Sequence, residues 1–216
     1  MVLAWLFAAA FLTALSGALM PGPVLFVTLR HSAAGGRWAG PLVVAGHAVV
    51  ELPLVAAVAL GLRERLQGTA FLGTVGLAGG AVLLVMSAGM LLSLRSLHLP
   101  GPEEAGQGGG PGALGVVVAG AVTSVSNPYF FLWWATIGMG LLARAAPYAL
   151  LGYAVFYAGH ILADLAWYAA VAESVHRGRK VLSDDAYRLL VGVLAACLAG
   201  FAVWFAWGGA VRLVGR

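Results

Sequence analysis

The sequence predicts an all-α integral membrane protein, with six transmembrane helices arranged as two inverted three-helix repeats and the first and fourth helices broken at proline motifs. Three observations carry this expectation. The chain of 216 residues is 62% hydrophobic and only 9% charged, where a soluble domain carries roughly 25% charged residues. Several uncharged apolar runs exceed the about 18 residues at which a membrane-spanning helix becomes the default reading. A motif with two ionisable side chains also occurs twice, as Gly46-His47-Ala48-Val49-Val50-Glu51-Leu52 and Gly159-His160-Ile161-Leu162-Ala163-Asp164-Leu165, and each copy runs on into Ala-Ala-Val-Ala at 56–59 and 169–172. Matched copies in two halves point to a duplicated unit.

The first span runs from Leu3 to about Leu29 and contains Met20-Pro21-Gly22-Pro23, where two prolines remove backbone donors and should break the helix. Met1 to Ala10 has no basic stretch ahead of its apolar residues, so it is read as a retained helix rather than a cleaved signal. Trp38 to Leu62 forms the second span and carries His47, Glu51 and Pro53. Thr69 to Leu97 forms the third, with Gly73, Gly76, Gly79, Gly80 and Gly89. Leu99 to Gly112 holds three prolines, Glu103 and Glu104, and is the segment least able to form a packed element. It is expected to be a linker (99–112) between a first repeat, 1–98, and a second, 113–216.

In the second half, Ala113 to Leu142 is interrupted at Ser126-Asn127-Pro128, Tyr148 to Ser174 carries His160 and Asp164, and Tyr187 to Val211 closes the set. Ala14-Leu15-Ser16 through Pro21 aligns with Ala121-Val122-Thr123 through Pro128, and a His-x-x-x-acid helix follows in each half. With three spans per half, the second half must enter the membrane inverted relative to the first. Gly76-x-x-x-Gly80 and the row Gly192, Ala196, Gly200 are expected to let helices approach closely. Trp133, Trp134, Trp167, Trp204 and Trp207 are read as interface anchors or bundle filling.

Composition also excludes functions. The formal charge of +4 is scattered between apolar runs, as topology determinants are, and gives no support to nucleic-acid binding. The single cysteine, Cys197, rules out an intrachain disulfide and a cysteine-based metal cluster. No ATP-binding motif, Ser-His pairing or His-Glu-x-x-His pattern is present, so neither an enzyme nor a primary pump is expected, and no cofactor.

The chemistry therefore concentrates in the breaks and the repeated pairs. Half-helix ends at Pro21, Gly22 and Pro23, and at Asn127 and Pro128, offer free amides and carbonyls to a solute. His47 with Glu51, and His160 with Asp164, are spaced to share one helical face. Ionisable residues inside a span cost a few kcal/mol and usually face the interior, where they carry ions, protons or substrate. The substrate-binding set expected here is Pro21, Gly22, Pro23, Glu51, Asn127, Pro128 and Asp164, with His47 and His160 coupling transport to protons near neutral pH. The alternative is a divalent-metal ligand set of His47, Glu51, His160 and Asp164.

Pro-Gly-Pro near the end of the first helix, followed by Arg30 and the Gly35-Gly36 turn, six spans in about 200 residues, and Asn-Pro in the fourth span together resemble the lysine exporter (LysE/RhtB) family. The resemblance covers the whole chain. It implies a multi-pass efflux transporter of a bacterial or archaeal cytoplasmic membrane, exporting a small amino acid or related zwitterion under the membrane potential or a proton gradient. Related groups move divalent metals. The partners implied are a small-molecule substrate and the lipid bilayer, with a homodimer kept open.

Overall fold

The computed structural model describes residues 1–34, 36–61, 67–98, 112–178 and 183–215, and every regular element among them is helical. The expected linker falls almost wholly at 99–111, outside the described residues.

Helix α1 (Val2–Ala18) ends just before the Pro-Gly-Pro motif, and α2 (Pro23–Ala33) starts on its second proline. Pro23 occupies the first helical position, where its missing N–H removes a donor that has no intrahelical partner anyway. Gly22 precedes it in extended conformation, and the two helices meet at a bend of 75°. Helix α3 (Ala39–Ala59) follows, then α4 (Thr69–Ser93) with a short 3₁₀ turn at Leu94–Ser96.

The second half opens with α5 (Ala113–Val125) and breaks at Ser126-Asn127. Asn127 caps α6 (Pro128–Trp133) by accepting the Tyr129 N–H at 3.0 Å. A widened π turn over Trp134–Gly138 leads into α7 (Met139–Ala145), and a 3₁₀ turn at Ala146–Tyr148 leads into α8 (Ala149–Gly178). Helix α9 (Asp184–Val214) is capped by Ser183, which accepts the Ala186 N–H at 3.2 Å.

Four helical stretches are long and apolar enough to cross a bilayer, and the bent pair α1–α2 makes a fifth. One of the four runs from Pro128 to Gly178 and counts 51 residues, about 75 Å at 1.5 Å per residue and more than twice the roughly 30 Å hydrocarbon core. It is turned at Ala149, whose φ of 47° is the positive value a non-glycine residue adopts only at a forced corner. Beyond that corner Gly152 lies so close to the preceding leg that a Cβ there would fall 2.1 Å from the Ala145 carbonyl oxygen. The expected fourth span, Ala113 to Leu142, is divided at Ser126-Asn127. Its first part, α5, has 13 residues, about 20 Å, too short to cross alone.

The helices pack in pairs: α1 on α8, α3 on α5, and α4 on α9, with α8 also touching α3 and α2. Glycine brings backbones together at these seams. A Cβ on Gly46 would fall 1.9 Å from the Val117 carbonyl oxygen of α5, and one on Gly159 would fall 2.7 Å from that of Phe7 in α1. On α4, Gly76 and Gly80 would clash with the Phe205 and Ala202 carbonyls of α9 at 2.9 and 2.8 Å. The α9 row predicted for this role is different. Among the described residues Gly200 has nothing within 4 Å and Gly192 meets the Leu94 side chain at 3.6 Å, while Ala202, Ala206 and Gly209 form the contact face. Spacing alone names two or three small-residue rows on such a helix, and packing selects one.

Candidate functional site

The two His-x-x-x-acid helices face each other. On α3, His47 and Glu51 share a face because four residues make about one turn; on α8, His160 and Asp164 do the same. The α3–α8 contact brings all four together, so that one ligand atom from each lies within 4.8 Å of every other. His160 Nε2 approaches Glu51 Oε1 at 2.7 Å and Asp164 Oδ2 at 3.5 Å, and His47 Nε2 stands 3.4 and 3.5 Å from the same two oxygens. Glu51 is fully buried, and His160 and Asp164 are nearly so.

The surrounding hydrogen bonds orient this cluster. Ser124 of α5 donates its hydroxyl proton to the Gly120 carbonyl at 2.7 Å, which leaves its oxygen to accept from His47 Nδ1 at 2.8 Å. That assigns the Nδ1–H to His47 and turns Nε2 toward the carboxylates. Trp134 donates its indole N–H to Glu51 Oε1 at 3.0 Å, and Tyr157 donates to the Ala48 carbonyl at 2.9 Å, tying α8 to α3. Glu51 Oε2, Asp164 Oδ2 and His160 Nδ1 are buried with no hydrogen-bond partner among the described residues. Buried polar atoms left this way are unusual and call for an occupant.

The cluster forms one wall of a cavity of about 90 Å³, well above the roughly 10–15 Å³ needed to hold a water. Both helix breaks reach the cavity. Pro21, Gly22, Pro23 and Asn127 line it, and a Cβ on Gly22 would sit 3.8 Å from Asn127 Nδ2. The two breaks differ in what they leave free. At α6 the Asn127 side chain already occupies the Tyr129 N–H, whereas no side chain caps α2, so the amides of Val24 and Leu25 in its first turn keep their donors. Among the described residues no Lys or Arg lines the cavity.

Of the nine residues expected from the sequence, eight line this cavity and Pro128 does not. Pro128 packs against α4, where a Cβ on Gly79 would meet its ring at 2.6 Å. It starts α6 and shapes the seam, while its neighbour Asn127 lines the cavity. The sequence reading also missed Trp134 and Ser124. Trp133 and Trp134 are buried and ring the histidines, with Trp133 and His160 centroids 4.8 Å apart, so they are not interface anchors; Trp204 and Trp207, which are exposed, keep that reading. An indole inside a proline-broken apolar span was the available signal, but nothing in its spacing distinguished it from filling.

A family model for LysE type translocators matches residues 15–209. The chain belongs to that family. No curated protein and no solved structure matches it. The translocator is a multi-pass membrane protein, and its family moves amino acids or similar solutes across membranes.

Proposed function

We propose that this LysE type translocator exports a small zwitterionic solute of the amino-acid class by proton-coupled alternating access, from the cytoplasmic membrane of a prokaryotic cell. The observation that carries the reading is that one cavity is lined both by helix-break groups and by buried carboxylates. The uncapped amides of α2 and the Asn127 amide group suit a carboxylate. Glu51 and Asp164 suit an ammonium group, which replaces a proton shared with His47 or His160. Ammonium and imidazolium compete for the same two carboxylates, and that competition is the coupling.

We infer further that residues 1–98 and 113–216 are two inverted repeats, with α5 and the Pro128–Ala145 leg together making the fourth crossing as α1 and α2 make the first. The pairing supports this: α1 lies on α8 as α5 lies on α3, and the third helices, α4 and α9, lie on each other. A pseudo-twofold axis relating the halves requires that exchange.

Purified protein in liposomes loaded with labelled amino acids, given an inwardly directed proton gradient, tests the cargo. Efflux of one or more amino acids, accelerated by the gradient and absent in Glu51→Gln, is expected. Indifference of every amino acid to the gradient and to Glu51→Gln would overturn the reading.

A further inference from the structure

An ammonium group uses two carboxylates; it does not call for two imidazole nitrogens turned inward beside them. We propose that His47, Glu51, His160 and Asp164 also form a binding site for one divalent transition-metal cation of the zinc class, which competes with the solute's ammonium end. The inference rests on the cavity being the solute site only for that competition.

The ligand geometry is close to complete. Zinc bound at about 2.0–2.2 Å to nitrogen and oxygen places tetrahedral ligands roughly 3.3–3.6 Å apart. Three of the four nitrogen–oxygen separations are 3.4, 3.5 and 3.5 Å; His160–Glu51, at 2.7 Å, must lengthen, and the set, which extends to 4.8 Å between ligand atoms, must draw in. Two nitrogens and two carboxylate oxygens suit zinc, cobalt or manganese.

Two further observations point to a ligand. Asp164 Oδ2 is buried and lacks a hydrogen-bond partner, although both histidine nitrogens are near it. His47 has its second nitrogen held by Ser124, which in turn is held by the Gly120 carbonyl; metal-binding histidines are regularly oriented by such a partner. Asp164 is also on a different helix from Glu51, so a cation would bridge α3 and α8, the two elements that any rearrangement of the repeats must move.

The test is Co²⁺ titration of the detergent-purified full chain. The intense visible absorption of four-coordinate Co²⁺, displaced by Zn²⁺, is expected at one ion per chain. His47→Gln and His160→Gln should each weaken binding at least about tenfold. A weak six-coordinate spectrum, or affinity unchanged in both variants, would overturn the site, and the wild-type titration alone decides if a variant fails to fold. Saturating Zn²⁺ should also block amino-acid efflux from liposomes. Four-coordinate Co²⁺ binding but no amino-acid movement sustains the metal site and removes the cargo reading; amino-acid movement without Co²⁺ binding does the reverse.

Discussion

The α3–α8 seam and the α4–α9 seam are built by opposite means. Between α3 and α8 four ionisable side chains meet around space, with carboxylate and imidazole atoms left unpaired. Between α4 and α9 the backbones themselves touch through Gly73, Gly76, Gly80 and Gly209, and the buried Ser87 hydroxyl donates to the Ala195 carbonyl at 2.8 Å. The contrast separates the roles. Glycine contacts in an apolar seam gain dispersion energy and leave nothing to titrate or solvate, so that pair is held by packing. Buried charges cost desolvation unless something binds them, so the other pair is where an occupant changes the energy.

The sharpest way to break this comparison is to neutralise one acid. Glu51→Gln or Asp164→Asn should reduce solute efflux by about 10² or more, because truncating a buried charge pair costs roughly 2–5 kcal/mol, while the protein still elutes as a folded species. Efflux near the wild-type rate in both variants would make the α3–α8 seam a packing contact too.

The converse variant is Gly209→Val. A Cβ there would lie 2.6 Å from the Leu77 amide nitrogen and 2.7 Å from the Gly73 carbonyl oxygen, so the helices must separate. A loss of about 1–3 kcal/mol is expected, read as a lower melting temperature in detergent with substrate affinity retained by the folded fraction. An unchanged melting temperature would show that α4 and α9 slide freely.

Replacing Pro21 and Pro23 together with alanine restores two backbone donors at the 75° bend. The chain should fold and lose efflux by about tenfold or more, as the uncapped α2 amides are drawn into a continuous helix. Wild-type efflux in the double variant would reduce the motif to a packing bend.

His47→Gln probes coupling at finer scale. Protons and the ammonium group compete for the same carboxylates, so wild-type solute affinity should rise with pH, by up to about tenfold per unit where one proton is displaced. Without His47 one competing proton site is gone, and the slope of affinity against pH should flatten. A slope identical to wild type would assign coupling elsewhere. The smallest effect belongs to Gly200→Ala, in open space on α9, where the gain in helix propensity should stabilise the protein by roughly 0.5–1 kcal/mol.

What the sequence determined by itself was whatever depends on local periodicity and on single residues. Apolar runs of spanning length set the helices. Pro21-Gly22-Pro23 and Asn127-Pro128 set the breaks, because a missing N–H acts wherever the chain goes. Four-residue spacing placed each histidine with its acid on one face. Tertiary structure decided which faces meet. It chose Ala202, Ala206 and Gly209 rather than Gly192 and Gly200 as the close face of α9, because a row of small residues is an opportunity that only a partner helix realises. It drew Trp134, at the start of the π turn Trp134–Gly138, into the carboxylate cluster, a contact with no signal in the spacing. It left α2 uncapped while Asn127 capped α6, making two similar breaks unequal. And it joined two pairs 113 positions apart into one four-atom cluster, since the α3–α8 contact is long-range and each half of the sequence records only its own pair.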